Sequence, residues 1–291
     1  MIWIIICILA FAFTVVLYLE NTRGKRFNEQ VKTEIALVLR NASIVDHEPI
    51  TKNDIKHLPH ALQKFLINSL VIGKKPIQSV QLEQKGSLKI KDDQKWMPFN
   101  AVQYYTTNPP SFLWHAHVNL NNFFFLNCRD YYNDGKGHML IKLNSLTNIT
   151  DECGIGMDQS TLVRYLNEMI WFPTAYLNKN IEWEAIDDHT VNAMITESEM
   201  AISAQLHFNR NGELVHFESK RIRQVEGRFV KEKLSAYLSE YQVRHGFYIP
   251  LQIEALWHLS SGAFVNIRLN VENITYNIHL NDSQAYEPLK R

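Results

Sequence analysis

The first nineteen residues, Met1 to Leu19, contain no charged side chain, and Thr14 and Tyr18 are the main polar interruptions. At about 1.5 Å rise per residue a helix over this run spans roughly 28 Å, close to the roughly 30 Å hydrocarbon core of a bilayer. Trp3 and Tyr18 fall towards its two ends, where amphipathic rings prefer the interface. The pattern predicts an uncleaved transmembrane anchor. A secretory signal would open on basic residues and close on small ones, whereas this run opens on Met1-Ile2-Trp3 and closes on Tyr18-Leu19-Glu20. Arg23, Lys25, Arg26 and Lys32 follow the span, so the positive-inside rule leans the body towards the cytoplasm. Large domains translocate regardless of such charge, and the side of the membrane stays open.

Beyond the span, Phe27, Val31, Ile35, Val38 and Leu39 form a stripe at helical spacing, predicting a helix that leaves the membrane. Thr51 followed by Asp54 resembles a capping box and opens a second helix carrying Leu58, Leu62, Phe65, Leu66 and Leu70, with Pro59 at a first turn or a kink. From Ile77 the period falls from about 3.6 to about 2. Strands are predicted at 79–85, 101–106, 111–118 and 139–143, separated by Asp92-Asp93, Asn108-Pro109-Pro110 and Asn133-Asp134-Gly135. One helix follows, capped by Asp158, carrying Leu162, Tyr165, Leu166 and Met169, and stopped at Trp171-Phe172-Pro173. Strands resume at 181–186, 190–196, 201–208, 213–219, 248–258 and 265–271. Helices do not alternate regularly with strands, so parallel βαβ winding is not expected. The organisation expected is an anchor over 1–19, a juxtamembrane helix and linker over 20–50, and one soluble α+β domain over 51–285.

Thirty Lys and Arg balance thirty Asp and Glu, and 46% of the 291 residues are hydrophobic. Such a chain is not disordered, and it lacks the cationic excess of a nucleic-acid binder. The three cysteines do not make a disulfide scaffold. Cys7, preceded by Ile4-Ile5-Ile6, lacks the small residue of a lipoprotein signal and reads as a bilayer side chain. Whether Cys128 and Cys153 pair is left open.

Several motifs in a fixed order carry a resemblance. They are Gly86, Trp96-Met-Pro-Phe-Asn-Ala-Val-Gln103, Pro109-Pro-Ser-Phe112-Leu-Trp114, Asp130-Tyr-Tyr-Asn-Asp-Gly135-Lys-Gly137, Trp171-Phe-Pro-Thr-Ala175 and Trp183-Glu-Ala-Ile-Asp-Asp188. With them the chain, from about residue 55 to about residue 275, resembles a bacterial membrane-anchored family of unknown function. The succession of strands and turns is also similar to the LolA-like (lipoprotein-localisation) architecture, an unclosed antiparallel half-barrel with covering helices. The resemblance implies a mostly antiparallel curved sheet behind an N-terminal transmembrane helix, a bacterial inner-membrane location, and no established activity.

Candidate chemistry is sparse. His115 and His117 share one strand face at a spacing some zinc sites use, with His138 or Asp130 as a third ligand; the bland reading puts both on the polar face opposite Trp114 and Ala116. Asp130, Asn133 and Asp134 offer oxygens to calcium but lack the terminal acid of a calcium loop, and a hairpin turn is expected there. No nucleophile elbow or Ser-x-x-Lys motif occurs, and Gly154-Ile-Gly156 lacks a third glycine, so neither a catalytic residue nor a cofactor is assigned. Asp158, Arg164 and Glu168 are expected on a solvated helix face, Arg164 and Glu168 as an i, i+4 pair. The aromatic load is the remaining feature, and Phe65, Leu66, Trp114, Phe124 and Trp171 are the expected walls of an apolar cavity on the concave face. The first functional expectation is a membrane-anchored protein that binds a lipid or the acyl part of a lipoprotein. An envelope protein-interaction or assembly module with a filled core is the alternative, and a hydrolase or metal enzyme using His115 and His117 comes third. The partners expected are the membrane and a lipid or lipoprotein, not nucleic acid.

Overall fold

A computed structural model describes residues 1–40, 42, 47–225, 228–278 and 289. The end of the expected soluble domain at residue 285 lies outside them, as does part of the expected linker.

Helix α1 (Ile2–Arg40) runs unbroken from the apolar segment through the amphipathic one. It is the one described helix long and apolar enough to cross a membrane, and Met1 to Leu19 are exposed throughout. Two short helices follow, α2 (Lys52–Ile55) and α3 (His60–Asn68). They are separate because Pro59, which has no N–H to give, sits at the start of α3 rather than inside one longer helix. The Thr51 N–H and hydroxyl both donate to Asp54 at 2.7 Å, the expected cap of α2.

Among the described residues, thirteen strands form one antiparallel, curved and unclosed sheet. In chain order they are β1 (Ser79–Leu88), β2 (Met97–Thr107), β3 (Pro110–Asn119), β4 (Phe125–Asn133), β5 (Lys136–Leu143), β6 (Thr147–Cys153), β7 (Ile181–Ala185), β8 (Thr190–Glu197), β9 (Met200–Phe208), β10 (Leu214–Val225), β11 (Arg228–Arg244), β12 (Phe247–Leu259) and β13 (Gly262–Tyr276). Spatially β6 to β1 run in reverse order to β13, and β13 then runs in reverse to β7. Helix α4 (Ile155–Glu168) and two 3₁₀ turns, Met169–Trp171 and Pro173–Leu177, link the edge strands β6 and β7 across the concave face. The fold is thus the half-barrel with covering helices that the LolA-like resemblance implies.

Two apolar cores result. The larger fills the concave side, where α3, α4 and the 3₁₀ turns pack on Leu82, Tyr105, Phe112, Trp114, Leu206, Phe217 and Ile253. The smaller lies on the convex side, where Phe27, Val31, Ile35, Val38 and Leu39 of α1 pack on Tyr104, Leu113 and Leu140. Strand β3 is therefore buried on both faces.

Candidate functional site

Along β1 and β2 the inward positions read Val80-Leu82-Gln84 and Ala101-Gln103-Tyr105, so a period of two carries polar groups into an otherwise apolar face. They meet α4 there. Glu168 accepts from Arg164 Nε at 2.9 Å, from Gln103 Nε2 at 2.8 Å and from the Tyr105 hydroxyl at 2.8 Å. Arg164 Nη1 donates to Asp130 Oδ2 at 2.7 Å, and its guanidinium lies over the Trp114 ring, 4.9 Å from the centroid. Trp114 Nε1 donates to Gln84 Oε1 at 3.0 Å, and Gln84 Nε2 to Gln103 Oε1 at 3.2 Å, which closes the network. From β10, Arg221 Nη2 stands 3.9 Å from Asp130 Oδ2, while Arg221 Nε donates to Ser160 of α4 at 2.8 Å. Burial works against the charged form of Arg164, but Glu168 and Asp130 more than offset it and hold the guanidinium above its ordinary value. Burial lowers Arg221, with Asp130 opposing, and burial then Glu168 push Tyr105 well up.

This corrects the expected surface pair. Arg164 and Glu168 do bond to each other, yet they face the sheet, because the inward Asp130, Gln103 and Tyr105 offer partners that make burial of charge tolerable. Asp158 is likewise buried: its carboxylate accepts the Gly137 N–H at 2.7 Å and Lys136 Nζ at 3.2 Å, tying the first turn of α4 to β5. α4 itself starts earlier than expected, after Gly154. Asp130 serves Arg164, and the loop beyond it is a tight hairpin in which Asp134 and Gly135 take φ of 51° and 75°.

Beside the network lies a cavity of about 410 Å³. It opens where the sheet parts: β9 and β10 pair from Leu214↔Phe208 to Ser219↔Ala204, after which β9 continues with β8 and β10 with β11. Val163, Met194, Ile202 and Ala204 line it beside the polar Gln159, Asn192 and Gln205, and at its rim Lys220 and Lys231 stand with Lys233, which pairs with Glu218 at 2.7 Å. Ser219, also in its wall, accepts from Asn167 of α4 at 3.0 Å. The cavity was not legible in sequence, since it depends on where two strands diverge.

The five expected wall residues divide. Phe65, Leu66, Trp114 and Trp171 come together in the larger core, Phe65 packing on Tyr176 and Phe208 at 5.6 and 5.5 Å between ring centroids and Trp171 Nε1 donating to the Pro250 carbonyl at 3.1 Å. Phe124 stands apart, exposed in the turn between β3 and β4.

On the convex face His115 and His117 are buried beneath α1 rather than set on a polar surface. Phe27 meets His115 edge-on at 5.5 Å, and His117 Nδ1 lies 3.2 Å from Asn127 Oδ1, whose amide donates to Ser145 at 2.7 Å. Burial, with a smaller contribution from His117, pushes His115 down to about 3. Among the described residues no three His, Cys, Asp or Glu side chains gather as a metal site. Cys128 is buried and Cys153 exposed, and both are free thiols. Nearby, Arg129 of β4 pairs with Glu34 of α1 at 3.0 Å and donates to the His138 carbonyl at 2.8 Å.

No curated protein matches the chain. Among solved structures it is similar to a DUF1329 family protein from Desulfovibrio piger, with a TM-score of 0.42 and 11% identity over 81% of this chain and 97% of that one. It is also similar to a LolA superfamily protein from Nitrosomonas europaea, with a TM-score of 0.37 and 11% identity over 79% and 94% of the two chains. A family of unknown function, DUF6544, matches residues 48–269, which span nearly all of the sheet, α3, α4 and the polar network between them, and the chain belongs to that family.

Proposed function

We propose that the protein is a single-pass membrane protein that binds an anionic amphiphile, a lipid or the acylated part of a lipoprotein, between α4 and the parted strands β9 and β10. Residues 1–19 are read as the anchor in a bacterial inner membrane, 20–50 as the juxtamembrane helix and linker, and 51–285 as the binding body. The observation that carries the reading is the cavity at the parting, whose size falls within the range of small-molecule sites and whose apolar Val163, Met194 and Ile202 lie below a rim where Lys220 and Lys231 add positive charge beyond the Lys233–Glu218 pair. Apolar walls suit an acyl chain and lysines a phosphate or carboxylate head. Trp114, Phe65, Leu66 and Trp171 then support the site from the core behind it.

A second reading, a protein-interaction module with a filled core, is favoured by the tight packing of those four residues. The two separate in one experiment. The full chain is reconstituted in vesicles containing phosphatidylglycerol with a photoactivatable acyl chain, irradiated and digested. Cross-links at Val163, Ile202 or Met194 that fade in Lys231→Glu/Lys233→Glu support amphiphile binding. Cross-links confined to α1 and the turns beside it overturn that reading in favour of the module.

A further inference from the structure

The connection between β3 and β4, Leu120 to Phe124, points its apolar side chains outward: Phe123 is 80% exposed, Phe124 48% and Leu120 37%. Exposed single apolar residues are common, but adjacent phenylalanines at the tip of a hairpin form a patch. The backbone of this turn is closed on itself. The N–H groups of Leu120 and Asn121 donate to the Phe124 carbonyl at 3.0 and 3.1 Å, and those of Phe123 and Phe124 to Asn121 Oδ1 at 2.9 Å. The Phe123 carbonyl accepts from Asn144 Nδ2 at 3.0 Å. Four of the turn's five N–H groups, all but that of the exposed Asn122, are thus paired, which lowers the cost of bringing its apolar side chains into an apolar medium.

Its position gives the medium. Asn144 belongs to the neighbouring β5–β6 turn, and in that same turn the Leu146 carbonyl accepts from Arg23 Nη1 of α1 at 2.7 Å. Arg23 is four residues beyond Leu19, about 6 Å along the helix from the end of the apolar run. The phenylalanine tip therefore flanks the point where α1 leaves its apolar segment.

We infer that the β3–β4 tip inserts into the interface of the bilayer that α1 crosses, giving the body a second membrane contact. Phe123 and Phe124 enter the boundary between headgroups and acyl chains, as apolar side chains of interfacial segments do. Arg23, Lys25 and Arg26 beside them meet anionic headgroups. The inference rests on the anchor reading.

The test uses the full chain in vesicles of phosphatidylethanolamine and phosphatidylglycerol doped with nitroxide lipids. A fluorophore is attached to Phe123→Cys in a Cys7→Ser/Cys153→Ser background. Buried Cys128 stays unmodified while the sheet is folded and so reports the integrity of each variant. The control label is at Ser198→Cys, exposed and beside Gly135 at the far end of β4. A third sample keeps Cys7 as the only reactive thiol and reports the anchor alone. Quenching at position 123 is expected to exceed that at position 198 about twofold or more. Equal quenching at 123 and 198 with strong quenching at Cys7 overturns the tip contact and leaves the anchor standing. No quenching at any of the three overturns both.

Discussion

Arg129 and Asp130 are consecutive in β4, yet they hold helices on opposite faces of the sheet: Arg129 pairs with Glu34 of α1 at 3.0 Å and Asp130 with Arg164 of α4 at 2.7 Å. The alternation of a strand sends the two charges apart, and each finds its counter-charge on a helix that covers it. Residue 130 is fully buried and Arg164 nearly so, so the pair is not a surface ornament. Asp130→Asn leaves a buried guanidinium with one carboxylate fewer and is expected to cost about 3 kcal/mol of unfolding free energy. Removing the exposed Lys85–Glu272 pair by Lys85→Ala should change stability by less than about 0.5 kcal/mol. Urea titration of the two variants in matched detergent would show the contrast; equal effects would refute it.

Glu34→Gln tests the other face. Arg129 is 1% exposed, and without the carboxylate its charge retains mainly the His138 carbonyl. A loss of about 2 kcal/mol is expected. The amides of residues 27–39 should also exchange faster than in Glu29→Gln, measured by hydrogen exchange.

Both neighbouring pairs explain what could be read in advance. Turn residues and the period of two were enough to place most strands, and the helical stripe from Phe27 to Leu39 marked the face that α1 buries. β4 was missed because Asn127, Arg129 and Asp130 look like surface residues; their partners come from chain positions far away, Arg164 being 34 residues on. β11 was missed for a different reason. Its inward positions are Leu234, Ala236 and Leu238, and the helix-favouring Leu, Ala, Lys and Glu that run through Lys231 to Leu238 obscure a 17-residue strand. The polar network was not read in advance: Gln84 and Gln103 fall at inward positions of a period of two, but their closure by Glu168 required the packing of α4.

Stability should also respond to acid through His115. Burial holds its folded pKa at about 3, against about 6.5 for a free imidazole. Between these values the unfolded chain binds the extra proton, so stability falls as pH drops from 6.5 towards 3, by up to about 1.4 kcal/mol per pH unit from this group. His115→Leu is expected to flatten that slope, read from urea midpoints at pH 7, 6 and 5. A slope unchanged in the variant would remove His115 as its source.

Gly137 marks how closely α4 approaches β5. A Cβ there would stand 2.7 Å from the Met157 carbonyl oxygen and against the Thr161 hydroxyl. Gly137→Ala should push the first turn of α4 outward, stretch the bond from the Gly137 N–H to Asp158, and cost about 1–3 kcal/mol. Thermal unfolding reports the loss, and an unchanged midpoint would show that the helix yields freely.

Thiol chemistry gives a direct check on the sheet. Burial raises Cys128 to about 12, so an alkylating reagent at neutral pH should modify Cys153 and spare Cys128 until denaturant is added. Mass spectrometry of the digested chain would locate the modified residues.

The unbroken run of α1 from Ile2 to Arg40 has a mechanical meaning. A helix of 39 residues is about 58 Å long and resists bending, and its second half is clamped to the convex face by Phe27, Val31, Ile35 and the Glu34–Arg129 pair. The half-barrel is therefore mounted on a stiff mast rather than tethered by a leash: under the proposed anchor reading, the whole sheet would turn with the mast, and whatever the body handles would be met at one fixed height and heading above the lipid.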